Sequence, residues 1–156
     1  MDVQIKQLLE IIPEEQIEEV FNQDIIDIGG DFIGFLDIYE ALSRIIPKHF
    51  TIIDLGCAYN AQCFYFRNHK KVISVDISDC VKFKSNNCEI HQKSIESFIK
   101  HDIKDLNLRE TFAICNYVPD WHGDNKRFVR ETFENVYVFY PHGGEKVIIP
   151  KLAKYI

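Results

Sequence analysis

Apolar positions along this chain follow two rhythms, and the change from one to the other divides it. Residues 1–48 carry them three and four apart. Val3, Ile5, Leu8, Leu9, Ile11 and Ile12 form a helical stripe that Pro13 breaks. Pro13-Glu14-Glu15 then opens a second helix, with proline and acids in the first turn, where the helix dipole favours them; Ile17, Val20 and Phe21 give it an apolar face. Gly29-Gly30 marks a turn. A third helix is expected over about Phe32–Ile46, with Phe35, Leu36, Tyr39 and Leu42 on one face and Pro47 as its stop. These aromatics are expected to cover one face of a sheet.

From Phe50 onward the pattern becomes short apolar runs separated by polar or amphipathic stretches. Phe50–Leu55, Val72–Ile77, Glu89–Gln92, Thr111–Val118 and Asn135–Tyr140 read as strands. An aromatic-rich segment of helix length follows the first strand. Ser94–Ile99 opens a helix with Ser94 and Ser97 in its cap region, and Asn125–Glu134 is amphipathic through Phe128, Val129 and Phe133. Val81–Asn87 is a weakly patterned link with room for one helical turn, and Pro119–Asp124 reads as a loop. Alternation of this kind implies right-handed crossovers and a largely parallel sheet covered on both faces, a doubly wound α/β architecture. The near-continuous apolar run of the fourth strand agrees with burial on both sides. A sheet ending at Tyr140 would leave an open apolar edge, so Lys146–Ile149 or a second subunit is expected to cover it, the latter as a homodimer or another protein partner. The whole chain, 1–156, reads as one domain: a helical segment over 1–48 and an α/β core over 50–156.

Composition narrows the function classes. At 156 residues, 46% hydrophobic and 27% charged, the chain can bury a sizeable core. A net charge of −6 and the lack of any basic run make a tightly held nucleic acid an unfavourable partner. No eighteen-residue apolar stretch occurs and the amino terminus is no signal peptide, so no membrane association and a cytoplasmic location are expected. The five cysteines (57, 63, 80, 88 and 115) are odd in number and form no C-x-x-C pair, so they read as reduced structural thiols. The histidines are scattered, and no metal site is expected.

The candidate chemistry lies between Phe50 and Ser78. A strand, a small-residue turn (Gly56 to Ala61), a helical stretch and a second strand ending in an acid make a nucleotide-cofactor half-site. Asp76, twenty residues past Gly56, is placed to accept hydrogen bonds from ribose hydroxyls. Asp54 separates two cofactor classes. An acid beside the turn would repel a dinucleotide's pyrophosphate, but would favour the sulfonium and amino groups of S-adenosylmethionine. No Tyr-x-x-x-Lys set supports hydride transfer either.

These residues resemble a family. Ile52-Ile53-Asp54-Leu55-Gly56-Cys57-Ala58 is similar to the first motif of the class I S-adenosylmethionine-dependent methyltransferases, and Val72–Ile77 to their second. The resemblance covers about Phe50 to Tyr140 and implies a Rossmann-like fold. It implies that Asp54, Gly56 and Ala58 line the methionine end, that Asp76 binds the ribose and that Ile77 touches the adenine. Cys57, Asn60, Ser94 and Asn116 complete the expected cofactor-binding set, Ser94 against the adenine edge. The departures are specific. The family's G-x-G-x-G turn here reads Gly56-Cys57-Ala58-Tyr59-Asn60, and Gln92-Lys93-Ser94 stands where many members carry an acid. Asn116, Pro119 and Trp121 have the residue types of an amine-methylating motif at the wrong spacing. The chain after Tyr140 is too short for the helix and antiparallel hairpin that usually close the family's sheet. No general base or nucleophile stands out, which methyl transfer tolerates because it needs mainly alignment. Two functions follow: a small, divergent methyltransferase of unknown substrate, or a binding protein that kept the fold without the chemistry.

Overall fold

The computed structural model describes residues 3–21, 36–116, 125–140 and 145–148. Helices α1 (Val3–Ile11), α2 (Glu14–Phe21) and α3 (Leu36–Ile45) precede strand β1 (Thr51–Leu55). A 3-10 helix, Ala61–Phe66, leads to β2 (Lys71–Asp76), and β3 (Cys88–Gln92) follows. Helix α4 (Ile95–His101), a 3-10 turn (Leu108–Glu110), β4 (Thr111–Asn116), α5 (Asn125–Thr132), β5 (Val136–Tyr140) and β6 (Glu145–Ile148) complete the order. The expected Gly29-Gly30 turn, the start of the third helix at Phe32–Phe35 and the loop from Pro119 to Asp124 lie outside the described residues.

The sheet runs β3-β2-β1-β4-β5-β6. Its first five strands are parallel, in the doubly wound, Rossmann-like arrangement expected from the strand pattern. All five residues of β1 and all six of β4 are buried, because both strands are covered on both faces. Their side chains alternate between two cores. Ile52, Val72, Phe112, Ile114 and Tyr137 pack under α1, α3 and the 3-10 helix, with Leu8, Tyr39, Leu42, Phe64 and Phe66. Ile53, Ile73, Val75, Ala113 and Val136 pack on the other face against Phe98 of α4, Val129 of α5 and Phe133 just after it.

Both ends of the sheet have a physical explanation. β6 pairs antiparallel with β5, Tyr140 opposite Glu145, so the expected covering strand forms. Only four residues separate the two strands, whereas a parallel connection needs about a dozen, so a hairpin is the one available route. At the other edge, β3 presents Glu89 to Lys71 and His91, and these charges discourage pairing with another chain.

Two connections differ from expectation. Ala61–Phe66 is a six-residue 3-10 helix with five buried positions, so it has no polar face on which a longer α-helix could run. Val81–Asn87 forms no helical turn, because the amides of Lys82 and Phe83 both donate to the Tyr59 carbonyl. No described helix is long and apolar enough to cross a membrane.

Candidate cofactor site

Strand order reverses between β1 and β4, so the ligand crevice of such a sheet lies at their carboxyl ends, beside Gly56 and Asn116. The chain leaves β1 by bending over β2: the amides of Gly56 and Cys57 both donate to the Val75 carbonyl, at 2.7 and 3.0 Å. Three alternate residues of this turn then have positive φ: Gly56 at 81°, Ala58 at 50° and Asn60 at 74°. These are the three glycine positions of G-x-G-x-G. Two glycines are absent from the sequence, yet the backbone adopts left-handed φ at all three.

Side chains hold that conformation. Asp76, at the end of β2, accepts the Ala58 amide at Oδ2 (2.9 Å) and the Ser78 amide and hydroxyl at Oδ1. Asn60 is fully buried, and its Nδ2 donates to the Phe83 carbonyl (3.0 Å) and towards Cys88 Sγ. Its Oδ1 accepts the Ser74 hydroxyl at 2.7 Å. The Ser74 hydroxyl also lies 3.3 Å from Cys88 Sγ. Asn60 thus ties the turn to β2 and to the Phe83 and Cys88 positions that follow. Ala58 has no such compensation, since its side chain is exposed. Left-handed φ costs an alanine about 1–2 kcal/mol, while glycine adds roughly 0.5–1 kcal/mol of unfolded-state entropy. Ala58→Gly should therefore stabilise the protein by about 0.5–1 kcal/mol, read as a rise of a few degrees in Tm; a fall in Tm would show that the turn is relaxed with alanine.

Asp54 does not stand at the open rim with Asp76. It points into the helix-covered core at 2% exposure, where Tyr39 Oη donates to Oδ1 (3.1 Å) and Gln62 Nε2 to Oδ2 (2.7 Å). Gln62 Nε2 also reaches the Cys57 carbonyl at 2.8 Å, so one amide links the acid to the turn. Burial pushes the Asp54 carboxyl up to about 7, against the opposing pull of the hydrogen bonds from Gln62 and Tyr39. Burial, with Asp54 next to it, raises the Tyr39 hydroxyl well above 10, so Tyr39 remains a donor. Burial raises the Cys57 thiol as well, which removes it as a nucleophile.

The other expected residues fall as follows. Ile77, next to Asp76, is 53% exposed and offers an open apolar surface. Ser94 caps α4, accepting the Ser97 amide at 3.1 Å. Lys93 turns its ammonium away to Asp102 (2.8 Å), so its charge is neutralised there. Asn116 is 6% exposed at the end of β4, and its Oδ1 has no hydrogen-bond partner among the described residues. Pro119 and Trp121 lie outside the described residues. No group of three or more metal-ligating side chains occurs among the described residues.

The sequence reading missed Tyr39, Gln62 and Ser74 as parts of this region. A signal existed for Tyr39: a buried phenol needs an acceptor, and Asp54 is the acid within the opposing strand. Gln62 and Ser74 carried none, because each matters only through a partner brought in by folding.

No family profile matches this chain, and neither does any curated protein. Solved structures do. A candidate type II methyltransferase from Anaeromyxobacter dehalogenans is 15% identical with a TM-score of 0.45, over 67% of this chain and 48% of that one. A candidate S-adenosylmethionine-dependent methyltransferase from Listeria monocytogenes is 21% identical with a TM-score of 0.44, over 66% and 52%. WbdD bound to a kinase inhibitor is 17% identical with a TM-score of 0.48, over 78% and 34%. The chain thus spans about half the length of the first two and a third of the last. It is similar to these proteins at a level that says nothing of substrate.

Proposed function

We propose that this chain is a small S-adenosylmethionine-dependent methyltransferase whose cofactor rests on the rim made by Gly56–Asn60 and Asp76–Ile77. One observation carries the reading: three left-handed residues in a five-residue turn, clamped through Ala58 to the acid that ends the neighbouring strand. Strain of that kind persists where a backbone must present a particular surface.

The residues present fit such a cofactor. Asp76 Oδ2 accepts the Ala58 amide and has a second lone pair for a ribose hydroxyl. Ile77 offers an apolar surface to a flat base. The unpartnered Asn116 Oδ1 is a buried acceptor at the crevice, where an ammonium would satisfy it. When bound, the cofactor supplies a methyl group on a cationic sulfur. The protein's part is to bind, align and exclude water. Asp54 is a positioning residue in this scheme, holding Gln62 and through it the Cys57 carbonyl.

A second reading, a binding protein without the chemistry, is favoured by the enclosure of Asp54 between Tyr39 and Gln62. Calorimetric titration with S-adenosylhomocysteine separates the two. Under the first reading the ligand binds, and at a hundredfold excess over Kd it stabilises the fold by about 2.7 kcal/mol. Ile77→Ser, an exposed change, should weaken binding about fivefold without lowering Tm, the loss of roughly 1 kcal/mol of apolar contact. Asp76→Ala should abolish it. Absence of heat and of any Tm shift at millimolar ligand would leave the second reading.

A further inference from the structure

A cleft with different chemistry lies at the opposite end of the sheet. It has a volume of about 290 Å³ and sits where the α1–α2 corner meets the end of the 3-10 helix and the segment leading into β3. Arg67 precedes β2 and Lys84 precedes β3, so the cleft opens near the amino ends of these strands. Lys84 directly follows Phe83, whose carbonyl holds Asn60, but none of the rim residues, Gly56–Asn60 and Asp76–Ile77, lines the cleft.

Its lining is ordered by type. Ile11, Pro13 and Phe64 form an apolar floor, Arg67 and Lys84 bring two cations, and the remainder is asparagine and serine. No acid lines it, although acids outnumber bases by 24 to 18 in the chain; Glu14 and Glu15, which follow Pro13, are exposed and outside the lining. Neither cation meets a carboxylate among the described residues.

Both cations are carried on fixed backbone. Arg67 Nη1 donates to the Phe64 carbonyl at 3.1 Å, which leaves most of the guanidinium fork unused. Gln16 clamps the main chain of Lys84 from both sides: its Nε2 donates to the Lys84 carbonyl and its Oε1 accepts the Lys84 amide, each at 3.0 Å. This side-chain amide acts as a strand partner and anchors the lysine to α2. Two anchored cations over an apolar floor, in an otherwise acidic protein, suit a compact dianion attached to an apolar group. A phosphomonoester carries about −1.5 to −2 charge near neutral pH and has three acceptor oxygens for such donors.

We propose that this cleft binds a small phosphomonoester, with its phosphate between Arg67 and Lys84 and its apolar body on Ile11, Pro13 and Phe64. The site stands independently of the cofactor reading.

Phenyl phosphate and inorganic phosphate are suitable probes, titrated into the ¹⁵N-labelled full chain in low-salt buffer and followed by amide shifts and calorimetry. Phenyl phosphate should shift the amides around Arg67 and Lys84, and should bind about tenfold more tightly than inorganic phosphate because only it covers the floor. Arg67→Gln and Lys84→Gln, both exposed changes, should each weaken phenyl phosphate about tenfold with unchanged Tm, as expected for loss of one charge-assisted contact. Shifts confined to Gly56–Asn60, affinity unchanged in both variants, or no shift at millimolar probe would overturn the proposal. Equal affinity for the two probes would overturn the apolar seat and with it the ligand class.

Discussion

Asp54 should make stability against urea fall as the pH is raised from about 4 to 7, against the opposite pull of His69 and Glu89, whose folded values are lowered. The unfolded carboxyl titrates near its ordinary 3.8 and the folded one at about 7. Between these values the folded protein holds a proton that the unfolded chain has released, so each rise in pH favours unfolding. Below about 4 both states are protonated and the contribution is fully present; above about 7 both are ionised and it is gone. With about three units between the two values, each worth 1.36 kcal/mol, the change amounts to roughly 4 kcal/mol at most. This direction is opposite to that of a salt-bridged carboxylate, because among the described residues no cation pairs with Asp54 and its partners are a phenol and an amide.

Asp54→Asn isolates the effect. An asparagine can present Oδ1 to Gln62 and Nδ2 to the Tyr39 oxygen, keeping both contacts without the charge. The variant should lose the slope and be more stable than the parent above pH 7. Denaturation midpoints at pH 5, 6, 7 and 8 for both proteins make the comparison. Parallel profiles would remove Asp54 as the titrating group.

The second large effect belongs to Asn60. Asn60→Ala removes the bonds to Phe83 O, Ser74 and Cys88 and places a Cβ-bearing residue without local hydrogen bonds at φ 74°. Two good hydrogen bonds at about 1 kcal/mol each and a left-handed alanine at about 1–2 kcal/mol give a loss of roughly 3–4 kcal/mol. Asn60→Gly loses the same bonds without the steric term, so its loss should be roughly 2–3 kcal/mol. The difference between the two variants measures the backbone cost, and their shared loss measures the side chain. Ala58→Gly should move the other way, since no side-chain bond is lost there. Alanine and glycine variants of equal stability at position 60 would show that its left-handed conformation costs alanine no more than the roughly 0.5–1 kcal/mol of chain entropy that glycine loses.

Much of the fold was legible because burial on two faces leaves a plain mark. A strand covered on both sides must be apolar almost throughout, as β1 and β4 are, and the spacing of such runs forces crossovers of one hand. Punctuation was legible for the same local reason: Pro13 and Pro47 end helices, and Ser94 caps one. The connection from β5 to β6 is equally local, since four residues can only return a strand antiparallel. Connections were harder to read. The segment after the turn was rich in aromatics, but whether six buried residues wind as α or 3-10 depends on what encloses them.

The sequence by itself determined the parallel sheet, the position of the turn and the acid that ends β2, because each depends on residues close together in the chain. Tertiary structure alone decided what those residues do. The turn keeps the backbone of a glycine-rich loop because Ser74 and Phe83, 14 and 23 residues onward, meet the Asn60 side chain. Asp54 is a shielded, proton-holding acid because Tyr39, fifteen residues earlier, and Gln62, eight later, close over it. Propensity and periodicity register neighbours along the chain; conformational strain and a carboxyl's proton affinity depend on neighbours in space.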